Sequence, residues 1–97
     1  MRQPPRRILA VDPGDKRIGL AISDPTQTIA RPLKVIKHVS RLVDAAAIAQ
    51  VAVEQEAGII LVGQPLDSDG RDGPMARKSN RQAQVIKTQT DLPVVMR

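Results

Sequence analysis

The sequence predicts an α/β domain: a mixed sheet with crossover helices, in the order β-β-β-α-β-α-β. Three observations predict it. Residues 8–24 read as two strands joined by a tight turn. Residues 42–55 and 75–90 carry helical patterns, and each is followed by a short apolar run, at 58–62 and at 94–96. A strand reached through a helical crossover lies parallel to its predecessor, so the later strands join the first hairpin in one sheet of mixed direction.

The first element is apolar on both faces from Ile8 to Val11, which suits a buried central strand. Asp12 follows where burial ends. Pro13 presets one corner of a turn, and Gly14 is expected to supply the positive φ of the next, as in a type II turn. The chain then returns through Arg17–Ser23, where Ile18, Leu20 and Ile22 alternate with Gly19, Ala21 and Ser23. That period of two gives a bulky face and a small face, and the small face admits close approach by another element.

Residues 25–28 make a turn, and 29–37 alternate loosely, with Leu33 and Val35 on one face and Arg31, Lys34 and Lys37 polar. Pro32 cannot donate to a ladder, so this is an edge strand, and its lysines oppose sheet-to-sheet association. His38, the one histidine, has no base partner nearby in sequence and reads as a solvated residue at the strand end. Ser40 is a good N-cap for the first helix. Leu42, Ala45, Ala46, Ala49 and Val53 form one stripe, but Ile48 and Val51 join Asp44 on the other side, so the helix is apolar nearly all round. It should pack on the sheet and be covered again, and end at Ala57-Gly58. Residues 58–62 read as a buried strand beside the first. The loop 63–73 holds three glycines, three aspartates and Arg71, and Pro74 fits the first position of the second helix. In that helix Met75, Ser79, Gln82, Ala83 and Ile86 share a face, on which Gln82 is out of character.

Length and composition set the limits. Ninety-seven residues make one domain, with residues 1–7 read as a basic leader. A chain this short buries only roughly 60–65% of its unfolded surface. With no aromatic residue, the core must be aliphatic, and modules that stack bases on exposed rings are excluded. Fifteen Lys and Arg against ten Asp and Glu leave a net charge of +5, which suits a phosphate-rich partner. There is no cysteine, hence no disulfide and no thiolate metal site, which permits a reducing cytoplasm. No apolar run reaches membrane-spanning length.

Asp12 has two readings. Its carboxylate can accept hydrogen bonds from the turn amides, or it can hold a divalent cation while Gly14 lets a phosphate approach the backbone. The pattern Asp12-x-Gly14-x-x-Arg17-x-Gly19-x-Ala21-x-Ser23-Asp24 resembles the opening of the YqgF/RuvX family, described as Holliday junction resolvases and as pre-16S rRNA nucleases. Gly63-Gln64-Pro65-Leu66-x-x-Asp69-Gly70-x-x-Gly73-Pro74 resembles its second signature, and residues 91–95 its next strand. The resemblance runs from about Ile8 to Met96. It implies a ribonuclease-H-like fold, a cytoplasmic nuclease acting on precursor 16S rRNA or branched DNA, and Mg²⁺ or Mn²⁺ as cofactor. In such chemistry one cation activates water and another stabilises the leaving oxygen, which calls for several carboxylates.

By resemblance Asp12 is the first catalytic, metal-holding carboxylate. Gly14, Lys16, Arg17, Gly63, Asp69, Gly70, Arg71, Arg77 and Lys78 are the residues expected to meet nucleic acid or phosphate. The family's next carboxylate lies in an Asp-Glu-Arg motif where this sequence reads Met96-Arg97, and its last lies on a C-terminal helix that is missing here. One of three expected carboxylates is present. Asp67, Asp69 and Asp72 are the others that could approach Asp12. The alternative function is a catalytically dead nucleic-acid binder. A missing last helix would also uncover one face of the sheet, which predicts self-association. Sugar-kinase and actin-like ATPases also open with an Asp-x-Gly hairpin, but they are much longer and the second signature does not suit them.

Overall fold

The computed structural model describes residues 6–24, 30–63 and 74–96. Seven elements follow in order: β1 (Arg7–Pro13), β2 (Arg17–Ser23), β3 (Ala30–Lys37), α1 (Arg41–Glu54), β4 (Ala57–Val62), α2 (Pro74–Lys87) and β5 (Val94–Met96). The strands form one sheet in the order β3-β2-β1-β4-β5. β1 is central, antiparallel to β2 and parallel to β4, and β4 is parallel to β5. β3 lies at the edge and is antiparallel to β2. This is the predicted α/β order, with β1 and β4 adjacent.

Strand alternation sorts the side chains. Leu9, Val11, Ile18, Leu20, Ile22, Ile60 and Val62 lie in register on one face and are buried. That face meets Ala45, Ile48, Val51 and Ala52 of α1 and Ala83 and Ile86 of α2, which complete the aliphatic core. The opposite face carries Ala10, Gly19, Ala21 and Leu61, with Asp12 at its end, and lines an open groove of about 540 Å³. It is not covered by either helix.

Four local expectations are corrected. Gly14 does not take a positive φ. It lies in the hairpin connection 14–17, enclosed by the Pro13–Ile18 pair and ending at Arg17, the first residue of β2, and a Cβ at Gly14 would stand 2.5 Å from the Arg17 carbonyl oxygen. Close backbone approach, not turn handedness, calls for glycine there. In β3 the register slips opposite Leu20/Ala21. The bulge shifts the phase. Leu33 and Ile36 therefore pack toward the core, while Val35 is 64% exposed.

In α1 the buried residues are Asp44, Ala45, Ile48, Ala49, Val51 and Ala52. Leu42, Ala46 and Val53 of the expected stripe face outward. A helix apolar on all sides offers several faces, and contact with both sheet and α2 selects the one with Ile48. Its outer side is not covered among the described residues. The helix ends at Glu54, with Gln55 as C-cap and Glu56 at φ 56°. Gly58 instead lies in β4, where the Arg6 side chain passes over it. In α2 Ser79, Gln82, Ala83 and Ile86 of the expected face are all buried, and the side chain of Met75 lies outside the described residues.

Candidate functional site at the end of the central strand

Asp12 is the penultimate residue of β1 and is exposed at the strand's C-terminal end. Its neighbours are small. Gly19 stands opposite it on β2, and a Cβ there would lie 3.8 Å from the Asp12 Cβ, so a longer side chain would stand over the carboxylate. On the other flank Val11 pairs with Val62, and the Gly63 N–H donates to the Val11 carbonyl at 2.8 Å, which brings Gly63 beside Asp12. Asp12, Gly19 and Gly63 therefore border one end of the open groove, with Lys34 of β3 on its rim.

The loop 14–17 carries the charge. Lys16 and Arg17 are exposed, and Arg17 stands directly across from Lys37 in the β2–β3 register. Like charges directly opposite in a sheet are destabilising. His38 continues this rim, with its N–H donating to the Lys16 carbonyl at 2.9 Å.

On the helix side of the same loop, Lys78 of α2 forms an ion pair with Asp15. The Lys78 ammonium beside it, by hydrogen bond and by charge, holds the Asp15 carboxyl below its usual 3.8. Arg77 is exposed on the same turn of α2. Asp69, Gly70 and Arg71, with Asp67 and Asp72, lie outside the described residues.

The sequence reading missed one pair. His38 is not simply solvated: its Nδ1 bonds to the carboxylate of Asp44, which is 1% exposed. The second Asp44 oxygen accepts the Val39 N–H at 3.0 Å. Ser40 caps α1 as expected, accepting the Val43 N–H at 3.2 Å. Asp44 thus reaches back one turn past the cap and holds the β3–α1 corner. The signal available was an Asp four residues after a Ser N-cap with a His two residues before it, a relative of the capping box.

Among the described residues, no group of three or more His, Cys, Asp or Glu is placed to hold a metal ion. Asp12 offers a single carboxylate, so the described residues do not by themselves fit a two-cation site. No helix among them is long and apolar enough to cross a membrane.

A mixed five-stranded sheet in this order, with a carboxylate ending its central strand, defines the ribonuclease-H-like class of fold. RuvC of T. thermophilus, solved in complex with a Holliday junction substrate, matches it with a TM-score of 0.64 at 17% identity, over 95% of this chain and 64% of that one. Residues 6–97 match the family described as "RuvX: Holliday junction resolvase", and the chain belongs to the RuvX family. A relative from Anaeromyxobacter sp. (strain Fw109-5), named "Putative pre-16S rRNA nuclease", is 42% identical over 91% of this chain. One of the same name from Thermoanaerobacter pseudethanolicus is 40% identical over 93% of it. The chain spans 64% and 65% of those two relatives' lengths.

Proposed function

We propose that this chain binds structured nucleic acid, precursor 16S rRNA or a branched DNA, as part of a phosphodiester-cleaving nuclease in which Asp12 stands at the scissile phosphate. One observation carries the reading: an exposed carboxylate closes the central strand between two glycines, at the sheet end where Lys16, Arg17 and Lys37 gather. Glycines on both sides leave the carboxylate accessible to a bulky polyanion. The cations supply an attraction that does not depend on sequence. Asp12 alone does not fix a cation, so a Mg²⁺ or Mn²⁺ site would need further carboxylates.

A second reading has its own support. On it the chain binds nucleic acid without cutting it, because Lys16, Arg17 and Lys37 attract a phosphate backbone whether or not a metal site is completed. The deciding experiment is Mn²⁺- or Mg²⁺-dependent cleavage of a precursor 16S rRNA fragment and of a four-way DNA junction. Cleavage that Asp12→Asn abolishes supports the nuclease. Salt-sensitive binding with no cleavage selects the second reading, and absence of binding refutes both.

A further inference from the structure

Register and alternation put two cations on the same face of the sheet as Asp12. Ile18 and Ile36 stand opposite each other and pack toward the core. Their neighbours Arg17 and Lys37, also opposite each other, therefore point to the open face. The next row on that face runs Asp12, Gly19, Val35 across β1, β2 and β3. Two residues of strand separate the rows, roughly 7 Å. Gly19 contributes no side chain to its row, and Val35 is 64% exposed.

An open groove of about 1110 Å³ holds the cation pair, lined by Asp15, Lys16, Arg17, Val35, Lys37 and His38. Val35 also lines the groove that ends at Asp12, so the two grooves meet at that residue. The His38 N–H on the Lys16 carbonyl fastens the hairpin connection to the end of β3 and keeps Arg17 across from Lys37. Neither cation has an ion-pair partner among the described residues, and Asp15, the carboxylate of this groove, is paired with Lys78. Two like charges held directly opposite each other gain from a ligand of opposite charge that touches both. The cavity of about 360 Å³ between the loop 14–17, the N-terminus of α1 and α2 lies on the helix side, walled by the Asp15–Lys78 and His38–Asp44 pairs, and takes no part.

We infer that Arg17 and Lys37 together hold one backbone phosphate of the nucleic acid, the next along the strand from the phosphate at Asp12. The inference rests on the function proposed above and adds Lys37, which belongs to neither sequence signature. The distance between the rows separates the two phosphates. The exposed Val35 between them lies under the sugar that links them. Arg17 offers a planar fork and Lys37 a point charge on a flexible stem, so one phosphate is met from both strands. The contact reads backbone charge and no base.

The test measures binding of the full chain, in EDTA, to a four-way DNA junction. Uncharged methylphosphonates replace the phosphates at one position at a time, counted from the branch, in all four strands. At one position the replacement should weaken binding about tenfold, the scale of a charge-assisted contact. At that same position the penalty should fall below about threefold in both Lys37→Gln and Arg17→Gln, because the two cations act on one phosphate. Lys37→Arg keeps the charge and should keep the penalty. Without metal the Asp12 carboxylate repels the phosphate it faces, so neutralising that phosphate should tighten binding, and Asp12→Asn should remove the gain. The two positions should be neighbours on one strand. Removing one of two opposed like charges leaves the melting temperature level or raises it, so a loss of affinity is not unfolding. A penalty unchanged in Lys37→Gln, different positions for the two cations, or positions for the cations and for Asp12 that are not neighbours would overturn the inference while the junction still binds. Absence of binding, with or without Mg²⁺, refutes the proposed function and this inference with it.

Discussion

His38→Ala should destabilise the domain by about 2 kcal/mol. The substitution removes the imidazole from a carboxylate that is 1% exposed and leaves one Asp44 oxygen buried with no protein partner. Losing a hydrogen bond to a buried charge costs about 1.5–3 kcal/mol, and breaking a fully buried ion pair about 3–5. His38 is itself 40% exposed, so water reaches the vacated place and the lower range applies. The Val39 N–H still engages the other oxygen, which keeps the corner from failing outright. For a domain of this size, each kcal/mol moves the melting temperature by about 4–8 °C, so a fall of about 8–16 °C is expected. Urea unfolding of the wild type, His38→Ala, Asp44→Ala and the double variant gives the coupling between the two residues. It should be about 1–2 kcal/mol with an unchanged slope on denaturant. A cost below about 0.5 kcal/mol for His38→Ala, or no coupling, would refute the claim that this pair holds the β3–α1 corner.

Other perturbations test other parts of the reasoning. Ile60→Ala, at a fully buried position in register with Leu9 and Val94, should cost about 3 kcal/mol by urea unfolding, a large share of a small domain's stability. Gly14→Ala sets a Cβ against the Arg17 carbonyl oxygen and should cost about 1–3 kcal/mol, with amide shifts confined to the loop 14–17. The Asp15 carboxyl should titrate below 3.8 by NMR and return toward that value in Lys78→Ala. Because its folded value is depressed, the ion pair stabilises the chain above the unfolded carboxyl's titration range and loses that contribution as pH falls through the folded value. The uncovered sheet face should produce self-association by sedimentation at high concentration, and a stable monomer would show that this face tolerates water.

The fold was legible where one period dominated. In β2 the alternation of Ile18, Leu20 and Ile22 with small residues determines which face is buried, and the structure buries those three. Pro32 and the lysines of β3 mark an edge, and β3 is one. The reading failed where the deciding partner was distant in sequence. α1 is rich in Ala and Val on every side, so only its simultaneous contact with sheet and α2 selects the Ile48 face over Leu42 and Val53. The bulge in β3 shifts Val35 outward by a change of register that composition does not carry. Asp44 has the composition of a polar face, and its burial follows from His38 and Val39 folding back over the cap. At the site, Asp12, Gly19 and Gly63 come together because β1 is central, which the order of elements already implied. The cavity walled by Asp15–Lys78 and His38–Asp44 needed three segments to converge, and no local pattern announced it.

If the proposed function holds, strand alternation constrains how a nucleic acid would lie. Asp12 faces the open side of the sheet, while the cavity with Arg41 and Gln82 opens on the side of the helices. On that proposal a polyanion at Asp12 that reaches around the end of β1 would pass over the loop tip where Lys16 and Arg17 stand and past Lys37 across from Arg17. The like-charged Arg17–Lys37 opposition would be relieved by a phosphate between them. Affinity from that rim should depend steeply on salt and hardly on base identity, since its contacts are to backbone charge. On the proposed function, discrimination among nucleic acids would come from shape: a bent or branched molecule could contact both faces of the sheet end, whereas a straight duplex would meet one of them.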